Sequence, residues 1–329
     1  MSDDVYVPPQ RIGFRELSAA EMERFTEIAG EALGRFGIAS FSLPDMVLHS
    51  NVTARVLRPS GRPLALRLRT GPAVSVATEM AWLRAVRRGT GIRTIEPYSD
   101  RNTIRIGIGT DTGTAEIECS LFYWAEGEPL AAHLTPGNYR KLGRLSAELH
   151  EFAVTWSPPP HLNPLRWDRT MYYEGTELVV DDPRFATVIS AADAAVVRRT
   201  AQRADGELAR IAALPGPVFL HGNIEMWNVL VDDQGRLRLL DFEDVMVGQP
   251  IHDVAITLYY GMERPDYPAL RKAFESGYRS IRPWPVAPGD DLDLLMAARA
   301  IMLLNHTLLT HVDPGPIVAR LLPVVLRAA

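Results

Sequence analysis

Residues 219–244 read FLHGNIEMWNVLVDDQGRLRLLDFED, in which short apolar runs alternate with polar turns. The runs NVLV and LRLLDF predict two short strands, and the DDQG between them predicts a turn that reverses the chain. This hairpin would bring Asn228 near Asp241. An amide oxygen and a carboxylate are hard ligands that suit Mg²⁺, which completes its shell with water and phosphate oxygens. The segment therefore predicts a metal–nucleotide site, unless Asn228 is only a strand-end amide and Asp241 only a turn-capping acid.

The composition of the 329-residue chain is that of a globular protein, with 47% hydrophobic and 23% charged residues. This length supports one large or two medium domains. The net charge of −5 and the pI of about 5.9 provide no basic field, so we expect no nucleic-acid partner. The single cysteine, Cys119, cannot form an internal disulfide, and no His or Cys cluster has the spacing of a zinc site.

The N-terminal sequence MSDDVYVPPQ lacks the basic and then apolar pattern of a secretion signal. No uninterrupted run of about 18 apolar residues is present anywhere in the chain. These two features predict a cytoplasmic protein without a membrane partner. The sequence leaves open whether the protein is a monomer or a homodimer.

The patterning changes along the chain. Ser18 and Glu21 fit the capping box of a leading helix. Residues 51–70 then predict a hairpin of two strands around an SGR turn, and residues 75–91 predict a helix that ends at a glycine. Residues 103–130 predict two more strands joined by a DTG turn. Beyond Gly127 helical patterns dominate, and only VFLH, NVLVDD and RLRLLDFED interrupt them. Strands first and helices later indicate two lobes with a cleft between them.

The decisive residues resemble a known signature. In the aminoglycoside phosphotransferase and choline kinase superfamily, relatives of protein kinases, H-G-D-x-x-x-x-N precedes a strand, a turn and D-F-x-D. The matching residues are His221, Gly222, Asn223, Asn228, Asp241, Phe242 and Asp244. GQPIHDVA at 248–255 is similar to the family's next element, G-D-P-x-x-D-x-A. The stretches ALRLRT, EMAWLRAV, WAEGEPL and LRWD resemble most the homoserine-kinase-like branch.

The resemblance covers nearly the whole chain and implies an α+β, two-lobed, protein-kinase-like fold. A small mixed β-sheet N-lobe with one crossing helix would span residues 1–126 and grip the nucleotide phosphates. A larger, mainly helical C-lobe would span residues 127–329 and hold the catalytic loop, the metal site and the acceptor pocket. The implied cofactors are ATP (or GTP) and Mg²⁺.

The resemblance also implies individual site residues. Asn228 and Asp241 would bind the metal, whereas His221 and Asp253 would be structural, with Asp253 bracing the catalytic loop from behind. The candidate nucleotide-binding residues of the N-lobe are Arg67, its helix partner Glu79, the turn residues Ser50 and Asn51, and Phe122, Trp124 and Glu126 in the connection that would meet the base. Arg67 stands at the position of the kinase strand lysine, and its guanidinium also suits phosphate. The alternatives are a solvated Arg67, a register in which Arg69 is the ligand, and a Trp124 that only packs.

Asn223 stands where the family has its catalytic Asp. That Asp accepts or orients the proton of the attacking hydroxyl. An amide can orient an alcohol but cannot take its proton near neutral pH, so the resemblance implies a rate loss of roughly 10²–10⁴. Three explanations stay open: an engineered near-isosteric substitution, a natural pseudokinase that senses a nucleotide or metabolite, and continued catalysis with Glu225 as a surrogate base.

The acceptor would be a small molecule with a hydroxyl group. Acids near the motif suggest that it carries an amine, because carboxylates pair with ammonium groups. These candidate substrate residues are Glu225, Glu243, Asp244 and Asp168, together with Trp167. Amino alcohols, hydroxy-amino acids and aminoglycoside-like antibiotics satisfy this pattern, and the alternative is that the acids are surface or loop-bracing charges.

The sequence therefore predicts a small-molecule kinase, a phosphotransferase with an alcohol acceptor, whose activity is impaired at Asn223. The alternative is a non-catalytic, regulatory pseudokinase that binds a nucleotide or metabolite. A protein kinase acting on Ser or Thr is disfavoured because no D-F-G followed by an A-P-E segment is present.

Overall fold

The computed structural model describes residues 17–48, 51–70, 74–101, 103–110 and 113–329. The chain divides into two compact units. Within the described residues, the smaller unit contains 17–70 and 95–126, and the larger unit contains 74–94 and 127–329. Ser50, a candidate for phosphate binding, lies outside the described residues.

The smaller unit begins with helix α1, Ala19–Arg35, whose start has the predicted capping box. The side chain of Ser18 accepts a hydrogen bond from the backbone N–H of Glu21, and the Glu21 carboxylate accepts one from the backbone N–H of Ser18. These bonds satisfy donors that the first helical turn leaves open. The buried face of α1, which includes Ala29 and Leu33, belongs to the same apolar core as the sheet.

An antiparallel sheet forms the rest of the smaller unit. Its strands in the described part are β1 (Ser42–Leu48), β2 (Val52–Leu57), β3 (Leu64–Leu68), β4 (Glu96–Pro97), β5 (Thr103–Thr110) and β6 (Gly113–Tyr123). Their order is β1-β2-β3-β6-β4, and β5 also pairs with β6. The hairpins β2–β3 and β5–β6 were predicted. Strand β1 was not predicted, because it contains Pro44 and its register with β2 shifts between Ser42 and Asp45.

Helix α2, Val76–Gly89, was predicted from the sequence and groups with the larger unit although it precedes residue 127 in the chain. The hydroxyl of Ser75 caps it by accepting a hydrogen bond from the backbone N–H of Thr78 (3.3 Å). Glu79 lies in its first turn and is fully buried.

Helices dominate the larger unit. Besides α2 they are α3 (Pro136–Thr155), α4 (Ala191–Ala212), α5 (Ile251–Tyr259), α6 (Tyr267–Arg279), α7 (Leu292–Thr310) and α8 (Gly315–Arg327). The short strands are β7 (Glu128–Pro129), β8 (Leu165–Arg166), β9 (Val218–Leu220), β10 (Val229–Val231), β11 (Leu237–Leu239) and β12 (Met246–Gly248). The pair β10–β11 is the predicted hairpin around DDQG, and β7 joins it, whereas β12 pairs with β8 and β9.

Two glycines let α3 and α6 approach closely. A Cβ on Gly143 would lie 2.0 Å from the carbonyl oxygen of Phe274, and a Cβ on Gly277 would lie 1.9 Å from that of Arg140. Only glycine therefore fits at either position. This contact fixes α3, which carries His150 towards the site described below.

Helix α7 is the most apolar of the described helices that are long enough to cross a membrane. By length and composition it resembles a membrane span, but 83% of its 18-residue apolar window is buried inside the protein, as in a core helix. Within this apolar helix Arg299 is only 3% exposed. The helix therefore carries a charged group into the interior of the larger unit.

The architecture confirms the predicted α+β class. A sheet with one leading helix forms most of the N-terminal unit, and helices with short two- and three-residue strands form the C-terminal unit. This arrangement matches the two-lobed, protein-kinase-like fold that the sequence motif implied.

Candidate active site

The loop after β9 is held by the carboxylate of Asp253, in the first turn of α5. Its Oδ2 accepts a hydrogen bond from the backbone N–H of His221 (3.0 Å), and its Oδ1 accepts one from that of Gly222 (2.8 Å). Nε2 of His150 lies 3.1 Å from the same Oδ2. Burial acts to raise the pKa of Asp253, but the hydrogen bonds from His150 and Gly222 outweigh it and keep the pKa below its usual range. An ionised carboxylate thus fixes the loop backbone.

His221 is held in one orientation by two hydrogen bonds. Its Nδ1 accepts from the backbone N–H of Asn223 (3.2 Å), so in the neutral ring the proton lies on Nε2, which donates to the carbonyl oxygen of Leu240 (2.8 Å). Burial lowers the pKa of His221, which keeps the ring neutral at physiological pH. The ring also meets Phe242 edge to face, with centroids 4.7 Å apart. His221 therefore links the loop to the segment that contains Asp241.

Gly222 brings the loop against that same segment. Its φ is 80°, in a region that residues with a Cβ disfavour. A Cβ at this position would lie 1.9 Å from the carbonyl oxygen of Asp244. Both the conformation and the close approach require glycine.

Asn223 lies in this loop with 9% of its surface exposed. Its carbonyl oxygen accepts hydrogen bonds from the backbone N–H of Glu225 (2.9 Å) and from Nδ2 of Asn228 (3.1 Å). Its side-chain Oδ1 accepts a hydrogen bond from Nη2 of Arg299 (2.8 Å). The backbone of Asn223 is therefore fixed, and its side-chain oxygen is bound to a cationic group.

Arg299 is a residue of this site that the sequence analysis missed. Its Nη1 donates to the hydroxyl of Tyr172 (2.8 Å), and its Nη2 also donates to the hydroxyl of Tyr260 (3.0 Å). The available signal was a single arginine within the apolar run LDLLMAARAIMLL at residues 292–304. A charged side chain in a buried helix requires polar partners, and these mark a functional or structural site.

The two candidate metal ligands lie on adjoining segments. The backbone N–H of Leu240 donates to the carbonyl oxygen of Asn228 (2.8 Å), which places Asn228 beside the residue before Asp241. Asp241 has a φ of 55° and is the one non-glycine residue in the described ranges with a positive φ. Such backbone strain concentrates at functional sites.

The donor set fits Mg²⁺. This ion usually binds through one or two carboxylates and takes its remaining ligands from water and substrate phosphates. The residues that the structure describes contain no group of three or more His, Cys, Asp or Glu side chains that could hold a metal by themselves. The carboxylate of Asp241 and the amide oxygen of Asn228 would therefore form an open site completed by phosphate.

Three of the candidate substrate acids lie in the loop segments around Asn223. Glu225 and Glu243 are buried, and Asp244 is partly buried. The hydroxyl of Tyr173 donates a short hydrogen bond to Asp244. Burial raises the pKa of Asp244, and the neighbouring Asp241 adds to this effect, whereas the hydrogen bond from Tyr173 opposes it.

The other two candidate substrate residues have different surroundings. The Asp168 side chain is 42% exposed and lies 3.7 Å from the guanidinium of Arg169. Trp167 is buried, and its ring meets Tyr172 edge to face, with centroids 6.1 Å apart. Trp167 thus contacts a residue that binds Arg299.

Two of the candidate nucleotide-binding residues of the smaller unit, Arg67 and Phe122, lie on its strands. Arg67 is buried on β3, opposite Thr53 of β2, and its guanidinium lies 5.1 Å from the ring centroid of Phe122. The ring of Trp124 is covered in the same way by Arg55, at 5.0 Å.

Asn51 directly precedes β2, and Glu126 lies in the segment that follows β6. Oδ1 of Asn51, which is buried, accepts a hydrogen bond from the backbone N–H of Thr70 (2.9 Å). Glu126 is exposed. The proposed partners Arg67 and Glu79 belong to different units, so their pairing stays a prediction.

Residues 48–287 match the sequence profile of the phosphotransferase enzyme family. No match was found among curated protein sequences.

Solved structures with the same fold include several small-molecule kinases. A microcompartment-associated aminopropanol kinase is 20% identical, with a TM-score of 0.72 over 92% of this chain and 95% of that one. An amicoumacin kinase, solved with AMP-PNP and Ca²⁺, is 16% identical, with a TM-score of 0.70 over 94% and 96% of the two chains. A spectinomycin phosphotransferase, solved with ADP and spectinomycin, is 12% identical, with a TM-score of 0.57 over 88% and 92%.

These identities show a shared fold, whereas the profile match covers most of the chain and includes every motif residue from His221 to Asp253. The matched range contains the braced His221–Gly222 loop and Asp241. The chain therefore belongs to the phosphotransferase enzyme family.

Proposed function

We propose that this chain transfers the γ-phosphoryl group of magnesium-bound ATP or GTP to a hydroxyl of a small molecule in the cytoplasm. The observation that carries the proposal is the braced loop. Asp253 holds the backbone of His221 and Gly222, and the same loop carries Asn223 next to the segment of Asp241. Nucleic acid and membrane are not partners in this proposal.

Each residue of the site has a role in the proposal. Asn228 and Asp241 hold the metal, which when bound neutralises the negative charge of the phosphate oxygens. The guanidinium of Arg67 donates to phosphate oxygens. The backbone between Phe122 and Glu126 hydrogen-bonds the nucleobase, and the backbone amides near Ser50 and Asn51 cap phosphates.

Asn223 limits the reaction. Its amide orients the acceptor hydroxyl but cannot take its proton, so the transfer runs roughly 10²–10⁴-fold more slowly than with a carboxylate. Glu225 is the alternative base. Its backbone N–H is bound to the carbonyl oxygen of Asn223, and its side chain is buried.

The acceptor in this proposal carries an amine. Glu225, Glu243 and Asp244 provide carboxylates near position 223, and the similar structures include kinases of aminopropanol and of spectinomycin. Asp168 would contact the acceptor from its exposed position. Trp167 would contribute indirectly, because its ring packs against Tyr172.

A second candidate function is a non-catalytic regulator that binds a nucleotide or metabolite. The amide at position 223 favours it, because Arg299 already occupies the side-chain oxygen that a catalytic residue would offer to the acceptor. In this case binding persists without transfer.

Phosphate transfer to a panel of amino alcohols, hydroxy-amino acids and aminoglycosides, run on the unchanged chain and on Asn223→Asp, separates the two functions. If the chain is a kinase, the rate of phosphate transfer to one acceptor class is at least about a hundredfold higher in the Asn223→Asp form. The regulator binds magnesium-nucleotide in both forms and transfers phosphate in neither. Absence of nucleotide binding in both forms would refute both functions.

A further inference from the structure

The guanidinium of Arg299 is a buried cation whose hydrogen-bond partners are all neutral. It donates to the hydroxyls of Tyr172 and Tyr260 and to the amide oxygen of Asn223. Its Nε has no hydrogen-bond partner, and within the described chain Arg299 forms no ion pair with a carboxylate. The carboxylate of Asp244 acts on it only through space, while Tyr173 donates to that carboxylate.

A guanidinium stays charged under all ordinary conditions, so burial does not neutralise it. Buried charges are normally compensated by an opposite charge, because hydroxyl and amide dipoles alone replace hydration incompletely. Among these partners of Arg299, only Asn223 becomes an anion through an isosteric change, in which a carboxylate replaces its amide. A carboxylate there would supply a directly bonded counter-charge, at the 2.8 Å that now separates Nη2 of Arg299 from the amide oxygen.

The same contact determines the orientation of the Asn223 amide. Oδ1 faces Nη2 of Arg299, and the reversed amide would place two donors against each other. Nδ2 is therefore on the other side, and it makes no hydrogen bond to a described residue. The group that Asn223 offers to a ligand is consequently a donor.

We propose that Arg299 is a positioning residue for position 223, where it binds the side-chain oxygen of Asn223 and is the counter-ion for a carboxylate. This inference rests on the proposed function and names the residue that orients the side chain at position 223. With Asn223, Nδ2 donates to the acceptor oxygen. With Asp at this position, one carboxylate oxygen is bound by Arg299 and the other is available to the acceptor hydroxyl.

The first test is thermal unfolding, which needs no enzymatic activity. Asn223→Asp should raise the melting temperature of the otherwise unchanged chain at pH 7.5, because the new carboxylate pairs with Arg299. In the Arg299→Gln background the same change should lower the melting temperature, since the carboxylate is then buried without a counter-ion. Arg299→Lys, which keeps the charge, should restore the increase.

Asn305→Asp is the matched control. Asn305 is fully buried on the same helix, and its amide bonds the backbone N–H of Val179 and the carbonyl oxygen of Glu177. No arginine is bound to it, so the added charge should lower the melting temperature. If Asn223→Asp lowers the melting temperature as Asn305→Asp does, the proposal is overturned. This comparison uses no variant of Arg299, so it holds even if those variants fail to fold.

The second test compares kcat with KM in the Asn223→Asp form. Arg299→Gln should lower kcat by about a hundredfold, because the side chain at position 223 loses the contact that orients it, while the KM for magnesium-ATP changes little. Arg299→Lys, which keeps the charge, should retain more of kcat than Arg299→Gln does. An unchanged kcat in Arg299→Gln contradicts the proposal, whereas inactive enzyme with the expected melting temperatures contradicts only the proposed function.

Discussion

Oδ1 of Asp253 accepts a 2.8 Å hydrogen bond from the backbone N–H of Gly222, although 31 residues separate the two. The other carboxylate oxygen accepts from the backbone N–H of His221. A charged group on α5 thus sets the conformation of the loop that carries Asn223. The loop depends on this acid more than on its own local preferences, because Gly222 has a positive φ and contacts Asp244.

Replacing Asp253 with Asn should destabilise the protein by roughly 3 kcal/mol or more, because it breaks a buried charged network and leaves donors unsatisfied. Urea unfolding measures the change. Asp181→Asn is the control, since Asp181 pairs with Arg198 on the exposed surface, where such pairs contribute little to stability. Equal losses in the two variants would show that Asp253 does not brace the loop.

Replacing Gly222 with Ala should prevent normal folding of the loop. The new Cβ would stand 1.9 Å from the carbonyl oxygen of Asp244, in addition to the strain of a φ of 80°. Gly175→Ala is the control, because Gly175 has a φ of 72° with nothing within 4 Å of the added Cβ. We expect a loss of about 1–2 kcal/mol at Gly175 and clearly more at Gly222, measured by urea unfolding. Similar losses would mean that the close approach to Asp244 is absent.

Replacing Asp241 with Asn should weaken magnesium-dependent nucleotide binding at least about tenfold, with little effect on folding. Asn tolerates a positive φ, so the backbone at φ 55° is retained while the charge is lost. Isothermal titration with and without Mg²⁺ provides the measurement. Asp233→Asn, in the exposed turn of the same hairpin, should bind as the unchanged chain does. Undiminished binding by Asp241→Asn would remove Asp241 from the metal site.

Acidification should destabilise the protein through His252. Burial lowers the pKa of His252 to about 4, against the opposing effect of Asp253, whereas an unfolded histidine has a pKa of about 6.5. The unfolded state therefore binds the proton first, so the stabilising contribution is present above about pH 6.5 and is lost as pH falls towards 4. Between pH 7.5 and 5 the loss is about 2 kcal/mol.

The matched variant for this pH effect is His252→Gln. Its side-chain oxygen can still accept the hydrogen bond that Nδ1 of His252 receives from the backbone N–H of Gln249. Urea unfolding at the two pH values should show a smaller decrease for the variant than for the unchanged chain. Parallel decreases would assign the pH dependence to other groups, such as the buried His221.

Much of the fold followed from local patterns. The capping box of α1, the hairpins β2–β3, β5–β6 and β10–β11, and helix α2 were all predicted, because alternation, helical spacing and turn residues act over a few neighbouring positions. Strand β1 was missed because a shift in register between Ser42 and Asp45, at Pro44, interrupts its alternation. The pairing of β9 with β12 rather than with β10 was also not predictable, since it is set by the packing around both strands.

The sequence by itself determined the family and the identity of the motif residues, including the amide at position 223, because these follow from residue types at fixed short spacings. Only the tertiary structure placed His150 at Asp253 and Arg299 at Asn223, over separations of 103 and 76 residues. No local pattern encodes such contacts. They exist because α3 and α7 pack into the core of the larger unit, where a buried charge must find its partners among whatever groups the fold brings near.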